Sequence, residues 1–147
     1  MNNKVEDILT KLRGKKVTEV IAGGSNGSIV VLNFGESEFC LFVKCVWRLE
    51  LINTIITGWN ESNHSVYGNM TKKIKELAND VIKNTESNNF YDLKLHFISG
   101  KTLNLFCDVT PYYQPEDYDE NWVICDIRSN QCYAINKNYE IIISKYK

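Results

Sequence analysis

Little in this chain is extreme, and most of what it lacks narrows its function. Neither sign of charge prevails: 17 Lys and Arg stand against 18 Asp and Glu, for a net charge of −1. A chain this close to neutral has no general field to hold nucleic acid or an anionic membrane, so neither is expected as a partner. No apolar run approaches the ~20 residues that cross a bilayer as a helix, and Glu6 and Asp7 stand where a secretion signal needs its apolar stretch. The expectation is a cytoplasmic chain. The five cysteines, Cys40, Cys45, Cys107, Cys125 and Cys132, include no C-x-x-C pair. Structural zinc takes pairs spaced by two to four residues, and Cys40 with Cys45 is the only near approach, so no metal and no other cofactor is expected. An odd count without paired spacing suits free, buried thiols in a reducing compartment.

Catalytic signatures are missing as well. There is no G-x-S-x-G, no Walker A sequence and no G-x-G-x-x-G. Gly23-Gly-Ser-Asn-Gly27 has the glycines of a phosphate loop but no following helix to present backbone amides, and reads as a hairpin turn. Only His64 and His96 could act as a histidine base for a Ser or Cys nucleophile. His64 lies in a polar loop over residues 60–65. His96 alternates with Leu95 and Phe97 on a strand, where a structural histidine on the solvent side or against a helix is the favoured reading. No catalytic residue is assigned.

What is present suffices for one core. A chain of 147 residues, 44% of them hydrophobic, buries roughly 68–70% of its unfolded surface without staples, and one domain over residues 1–147 is expected. Val5, Ile8, Leu9 and Leu12 recur at helical spacing, and Gly14 follows where a helix stops. Strands are expected over residues 17–21, 28–34 and 39–47, the last central and mostly covered. Met70, Ile74, Leu77, Ala78, Val81 and Ile82 mark a longer central helix with one apolar face. Residues 91–97 alternate cleanly and turn at Ser99-Gly100 into a strand over 101–107; further strands follow at 121–127, 132–135 and 139–146. The fold class is therefore α+β, mainly antiparallel sheet with a short N-terminal helix and one longer central helix. Each half also starts with an amphipathic helix, then gives a strand ending in Phe34 or Phe97, an apolar strand, and Trp47 or Trp122. That order points to a pseudo-repeat of two halves.

Splitting the charge along the chain is more informative than its sum. Residues 1–73 carry nine basic and seven acidic groups, whereas residues 74–147 carry eight and eleven, and six of those eleven fall between Asp108 and Asp126. From Phe106 to Asp126 there is no Lys, Arg or His, and Tyr112, Tyr113, Tyr118 and Trp122 are interleaved with Asp108, Glu116, Asp117, Asp119 and Glu120. Both prolines, Pro111 and Pro115, lie in the same stretch. Tyrosine buries a large rigid surface at low entropic cost, and surrounding carboxylates steer and pair a basic partner. The bland alternative is a solvated loop that keeps a sheet edge from aggregating. A calcium loop starting at Asp117 fails, because Trp122 stands where glycine is needed and Arg128 where glutamate is needed. The basic groups Lys11, Arg13, Lys15, Lys16 and Lys72, Lys73, Lys75 are diluted by acids and lack interleaved aromatics, so they read as solvated helix faces.

The order Leu12-Arg-Gly-Lys-Lys-Val17, Leu32-Asn-Phe34, Trp47-Arg-Leu49, Asp92-Leu-Lys-Leu-His-Phe97, Leu103-Asn-Leu-Phe-Cys-Asp108 and Asn121-Trp-Val-Ile124 resembles small bacterial proteins, some of which act as immunity proteins of contact-dependent growth inhibition and other polymorphic toxin systems. The resemblance implies a cytoplasmic, non-catalytic protein that neutralises a basic toxin domain by direct binding. On that expectation Tyr112, Tyr113 and Tyr118 are anchors, and Asp108, Glu116, Asp117, Asp119 and Glu120 are charge partners. The alternative is a small-ligand-binding or carboxylate-dependent enzymatic domain with a cleft between the central helix and the sheet, using His96. A third reading is a homodimer through an edge strand at 139–146.

Overall fold

Val5, Ile8, Leu9 and Leu12 line one side of helix α1 (Asn3–Leu12) and are wholly buried, as their spacing predicts. They enter a core that α1 shares with two antiparallel sheets in the computed structural model, which describes residues 3–61, 65–108 and 120–146. The chain continues through β1 (Val17–Ile21), β2 (Val30–Phe34), β3 (Phe39–Val43), β4 (Val46–Leu51) and β5 (Thr54–Gly58). Helix α2 (Asn69–Ile74), extended by a 3-10 turn (Lys75–Leu77), opens the second half. It is followed by β6 (Ile82–Ser87), β7 (Leu93–Phe97), β8 (Lys101–Phe106), β9 (Glu120–Asp126), β10 (Gln131–Asn136) and β11 (Ile141–Lys145). The fold is α+β and mostly β.

The strand orders are β1-β2-β3-β9-β10-β11 and β5-β4-β8-β7-β6. Each half thus builds three strands of one sheet and then crosses to the other, so each sheet needs strands from both halves. Reading β1 as β6, β2 as β7, β3 as β8, β4 as β9 and β5 as β10 maps one sheet onto the other, with β11 added. The details follow the same map. The Gly14 N–H donates to Ile82 O at 2.7 Å and the Asn79 N–H to Val17 O at 2.7 Å. The Val17 N–H donates to Asp80 O at 2.8 Å and the Ile82 N–H to Lys15 O at 3.0 Å. These bonds flank the bridge between Lys16 and Val81, where the two halves meet. Trp47 and Trp122 are both fully buried, and each indole N–H donates to a carbonyl two residues ahead of a strand, Ser28 O at 2.7 Å and Tyr91 O at 2.9 Å. The order of helix, Phe strand and Trp read from the sequence has its counterpart in the matching strand order of the two sheets.

Two expected boundaries move, and one hairpin stands where no element was expected. The central helix stops at Leu77 instead of running to Ile82, because Asn79 takes a left-handed φ of 72° just as Gly14 does at 82° in the first half. Val81 and Ile82, which continue the helical spacing, instead lead into β6. The apolar run of 39–47 is two strands in different sheets, the chain crossing at Lys44 and Cys45. The hairpin of β4 and β5 turns at Ile52 and Asn53, both with positive φ, without a glycine to announce it.

The cysteines also depart from expectation. Cys125 and Cys132 face each other across β9 and β10, their Cα atoms 4.0 Å apart, and are joined by a disulfide. Cys40, Cys45 and Cys107 are free. Sequence spacing gave no sign of this pair because antiparallel register, not a local motif, brings the two together. Cys40 lies on the outer face of its sheet and Cys45 in the core, so they form no ligand pair.

Candidate protein-binding site

Strand β8 ends at Phe106 and β9 starts at Glu120, so the acidic stretch joins one sheet to the other at the point where the first half needs only Lys44 and Cys45 between β3 and β4. Of the residues expected to make contacts, Asp108 and Glu120 are described, and the structure brings them to one place. Tyr112, Tyr113, Glu116, Asp117, Tyr118 and Asp119 lie outside the described residues.

Asn121 holds the two ends. Its side chain is completely buried. Oδ1 accepts from the Asp108 backbone N–H at 3.1 Å, and Nδ2 donates to Asp108 O at 3.1 Å and to Asn136 O at 3.1 Å. The carboxamide pairs with both backbone groups of Asp108, as a neighbouring strand would. Asp108 and Asn121, on either side of residues 109–119, are therefore held together at one point. Nothing in the sequence marked Asn121 for this role. A superposition of the two halves would have, since it sits just ahead of Trp122, where the second half carries more chain than the first.

Both described acids are paired within the chain. Lys137 Nζ, mostly covered, donates to the Asp108 carboxylate and to Asn121 Oδ1 at 3.2 Å. Lys44 Nζ donates to Glu120 Oε1 at 3.0 Å, and the Lys44 N–H donates to Asn121 O at 2.9 Å. Asp108 and Glu120 thus act as fixed posts on either side of the stretch that holds Glu116, Asp117 and Asp119.

An aromatic and acidic shelf adjoins the clamp. The Cys107 N–H donates to Asp92 Oδ1 at 2.7 Å, and its thiol to Tyr91 O at 3.2 Å. The hydrogen bond with Cys45 and burial push the Cys107 thiol well above the ordinary range, which keeps it protonated. Cys45 and Cys107 occupy matching positions in the two halves. Phe90 is largely exposed and lies 6.2 Å, centroid to centroid, from Tyr139. Burial, then the nearby Cys107, Asp92 and Asp108, raises the Tyr139 hydroxyl above its usual value, so it stays neutral and able to donate.

His96, named for an enzymatic reading, is among the described residues. His96 faces away from the core: Leu95 and Phe97 beside it are buried with Met70 and Ile74 of α2, whereas His96 is part-exposed on the opposite face of its sheet. Its ring nitrogens are taken, Nε2 by Glu86 Oε2 at 2.5 Å and Nδ1 by Thr102 Oγ1 at 3.2 Å. The hydrogen bond from His96 lowers the Glu86 carboxyl. On this open face the imidazole ties three strands together. A separate cleft of about 420 Å³ is lined by Lys11, Lys15, Glu38, Asp126 and Arg128. Its charges pair off, Lys15 with Glu38 at 2.5 Å, Arg128 with Glu38 at 3.3 Å and Lys11 with Asp126 at 3.6 Å. Among the described residues no group of His, Cys, Asp and Glu is arranged to hold a metal ion, and no helix is long and apolar enough to cross a membrane.

No family model, no curated protein and no solved structure matches this chain.

Proposed function

We propose that this chain is a cytoplasmic, non-catalytic binding protein, specifically an immunity protein that neutralises a basic toxin domain through its acidic, tyrosine-rich segment. One observation carries the reading. The segment is additional to the repeated architecture, and a buried side chain, Asn121, anchors both of its ends at one point. Carboxylates presented on such an excursion accelerate encounter with a basic surface, and tyrosines beside them fill pockets once docked. Anchored ends lower the entropy lost on binding.

The test is to read the neighbouring gene for a toxin, co-purify this chain with that toxin's C-terminal domain, and titrate the complex at two salt concentrations. Glu116→Lys, Asp117→Lys and Asp119→Lys together are expected to weaken the complex by at least about tenfold at low salt, and less at high salt where such charges are screened. Glu120→Lys is measured separately, because it also breaks the pair with Lys44. Unchanged affinity in the triple variant overturns the assignment of the interface. Absence of any complex at low salt overturns the function.

A homodimer has its own supporting feature. β11 is the outermost strand of the six-stranded sheet, and Ile142 and Ile143 are exposed on its two faces. Size exclusion of the wild type beside Ile143→Lys reads it: a dimer that the substitution dissociates supports this contact, and a monomeric wild type removes it.

A further inference from the structure

Three of the five cysteines stand in one row. Cys40 on β3 is directly opposite Cys125 on β9, which is directly opposite Cys132 on β10. All three are buried on the outer face of the six-stranded sheet, among Val123 and Ala134 and against Val31, Phe42, Ile127 and Tyr146. Cys125 is bonded to Cys132, and Cys40 is a free thiol at the neighbouring position of the same central cysteine. The fold does not require sulfur there, because the matching row of the other sheet is Thr102, Glu50 and Ile55.

We propose that this row is an intramolecular thiol–disulfide exchange site in which Cys125 is bonded alternately to Cys132 and to Cys40. The Cys40 thiolate attacks the Cys125 sulfur; the Cys40–Cys125 bond forms as the Cys125–Cys132 bond breaks. Cys132 leaves as a thiolate and takes up the proton that Cys40 released. Nothing is oxidised or reduced overall, and no external reagent is consumed. The two isomers differ in what they join. The Cys125–Cys132 bond closes a hairpin within the second half, whereas a Cys40–Cys125 bond crosses the seam between the halves. Its far end is on β9, the strand that carries Glu120 and Asn121. The exchange site therefore couples thiol chemistry to the strand that anchors the acidic segment.

Burial raises the Cys40 thiol to about 11, with Glu19 adding to the shift. Below that value the attacking thiolate, and hence the rate, increases about tenfold per pH unit.

The test uses the full chain, oxidised and freed of reagent, then incubated between pH 7 and 10. Samples are acid-quenched, unfolded, alkylated and mapped by mass spectrometry. The expected result is alkylated Cys132 together with a Cys40–Cys125 linked peptide, appearing about tenfold faster per pH unit and absent in Cys40→Ser. Alkylation confined to Cys40 within the row at every pH overturns the proposal. So does alkylated Cys132 persisting in Cys40→Ser, or an oxidised chain in which all five cysteines are alkylated. Cys132→Ser reads the same geometry without exchange: on mild oxidation it should form the Cys40–Cys125 bond, and failure to do so while folded overturns the proposal.

Discussion

Asn121→Ala isolates the clamp that defines the candidate site. The carboxamide makes four hydrogen bonds, accepting from the Asp108 N–H and Lys137 Nζ and donating to Asp108 O and Asn136 O. Each contributes about 0.5–1.5 kcal/mol net, and a buried group left without a partner costs about 1–3 kcal/mol. Asp108 is more than half exposed on its side chain, so water can reach part of what the substitution uncovers, which pulls the sum toward the lower end. A loss of about 3 kcal/mol is expected. At about 2–4 °C per kcal/mol for a chain slightly above this length, the melting midpoint should fall by about 6–12 °C. Urea unfolding followed by tryptophan fluorescence is the direct assay, since Trp122 adjoins the clamp. The same protein, measured under conditions where it is still folded, should bind the toxin domain more weakly than its stability loss alone explains, because residues 109–119 would no longer be held at both ends. A loss under about 1 kcal/mol would refute the argument that this buried amide fixes the two ends.

Other expectations follow from the paired halves and from the ion pairs. Trp47→Phe and Trp122→Phe each remove an indole N–H from a part-buried carbonyl and leave space behind, so both should destabilise in chemical denaturation, by about 2–4 kcal/mol at Trp47 and less at Trp122, where Tyr91 O keeps the Cys107 thiol as a donor; a nearly neutral effect at Trp47 would refute this reading. Asn79→Gly should be neutral or mildly stabilising in thermal melts, whereas Asn79→Ala should cost about 1–2 kcal/mol, because only the former accepts a left-handed φ freely. The side-chain hydrogen bond from Lys15 lowers the Glu38 carboxyl in the folded chain, with Arg128 adding to it. Stabilisation from a depressed carboxyl is present above its unfolded value, near 4.5, and fades as pH falls through the lowered folded value. Wild type should therefore exceed Glu38→Gln in urea midpoint at pH 7 and match it near pH 3; an equal gap at both would contradict this assignment.

Much of the sheet was legible because its strands alternate. Leu93, Leu95 and Phe97 face inward and Lys94 and His96 outward, and that period of two needs no tertiary information. What was missed has one cause: the decisive contact is remote in sequence. The run of 39–47 carries no turn residue, yet its chain changes sheets at Lys44, where the partners of β3 and β4 diverge. β6 has Ile82 and Thr85 as its inward residues among polar neighbours, so its pattern never rises above that of a loop. The helix overran to Ile82 since Asn79 can stay helical as readily as cap; only the packing of the two halves against each other decides. Composition found the acidic segment but not Asn121. A single asparagine ahead of a tryptophan has no local signature, and its function depends on Asp108 arriving from another strand. The same holds for Cys125 and Cys132, whose union is a matter of register.

The matching strand order of the two halves supplies a sharper experiment than any point substitution, because the first half is a natural version of the fold without the acidic segment. There the crossing between sheets takes only Lys44 and Cys45, and Cys45 matches Cys107 while Trp47 matches Trp122. Replacing residues 109–119 with a four-residue Gly-Ser linker keeps Asp108, Glu120 and the Asn121 clamp. Asp108 and Asn121 are already within hydrogen-bonding distance, so a short linker can close the gap. Shortening a connection changes closure entropy only by about (3/2)RT times the logarithm of the length ratio, which for this replacement is about 1 kcal/mol or less and in the stabilising direction. The shortened chain should fold with a urea midpoint at or above that of the wild type and lose measurable affinity for the toxin domain. Folding without binding would separate scaffold from site, as the proposed function requires. Loss of folding would instead place residues 109–119 among the structural elements. Retained affinity would move the interface elsewhere, to the shelf of Phe90 and Tyr139 or to the edge at β11.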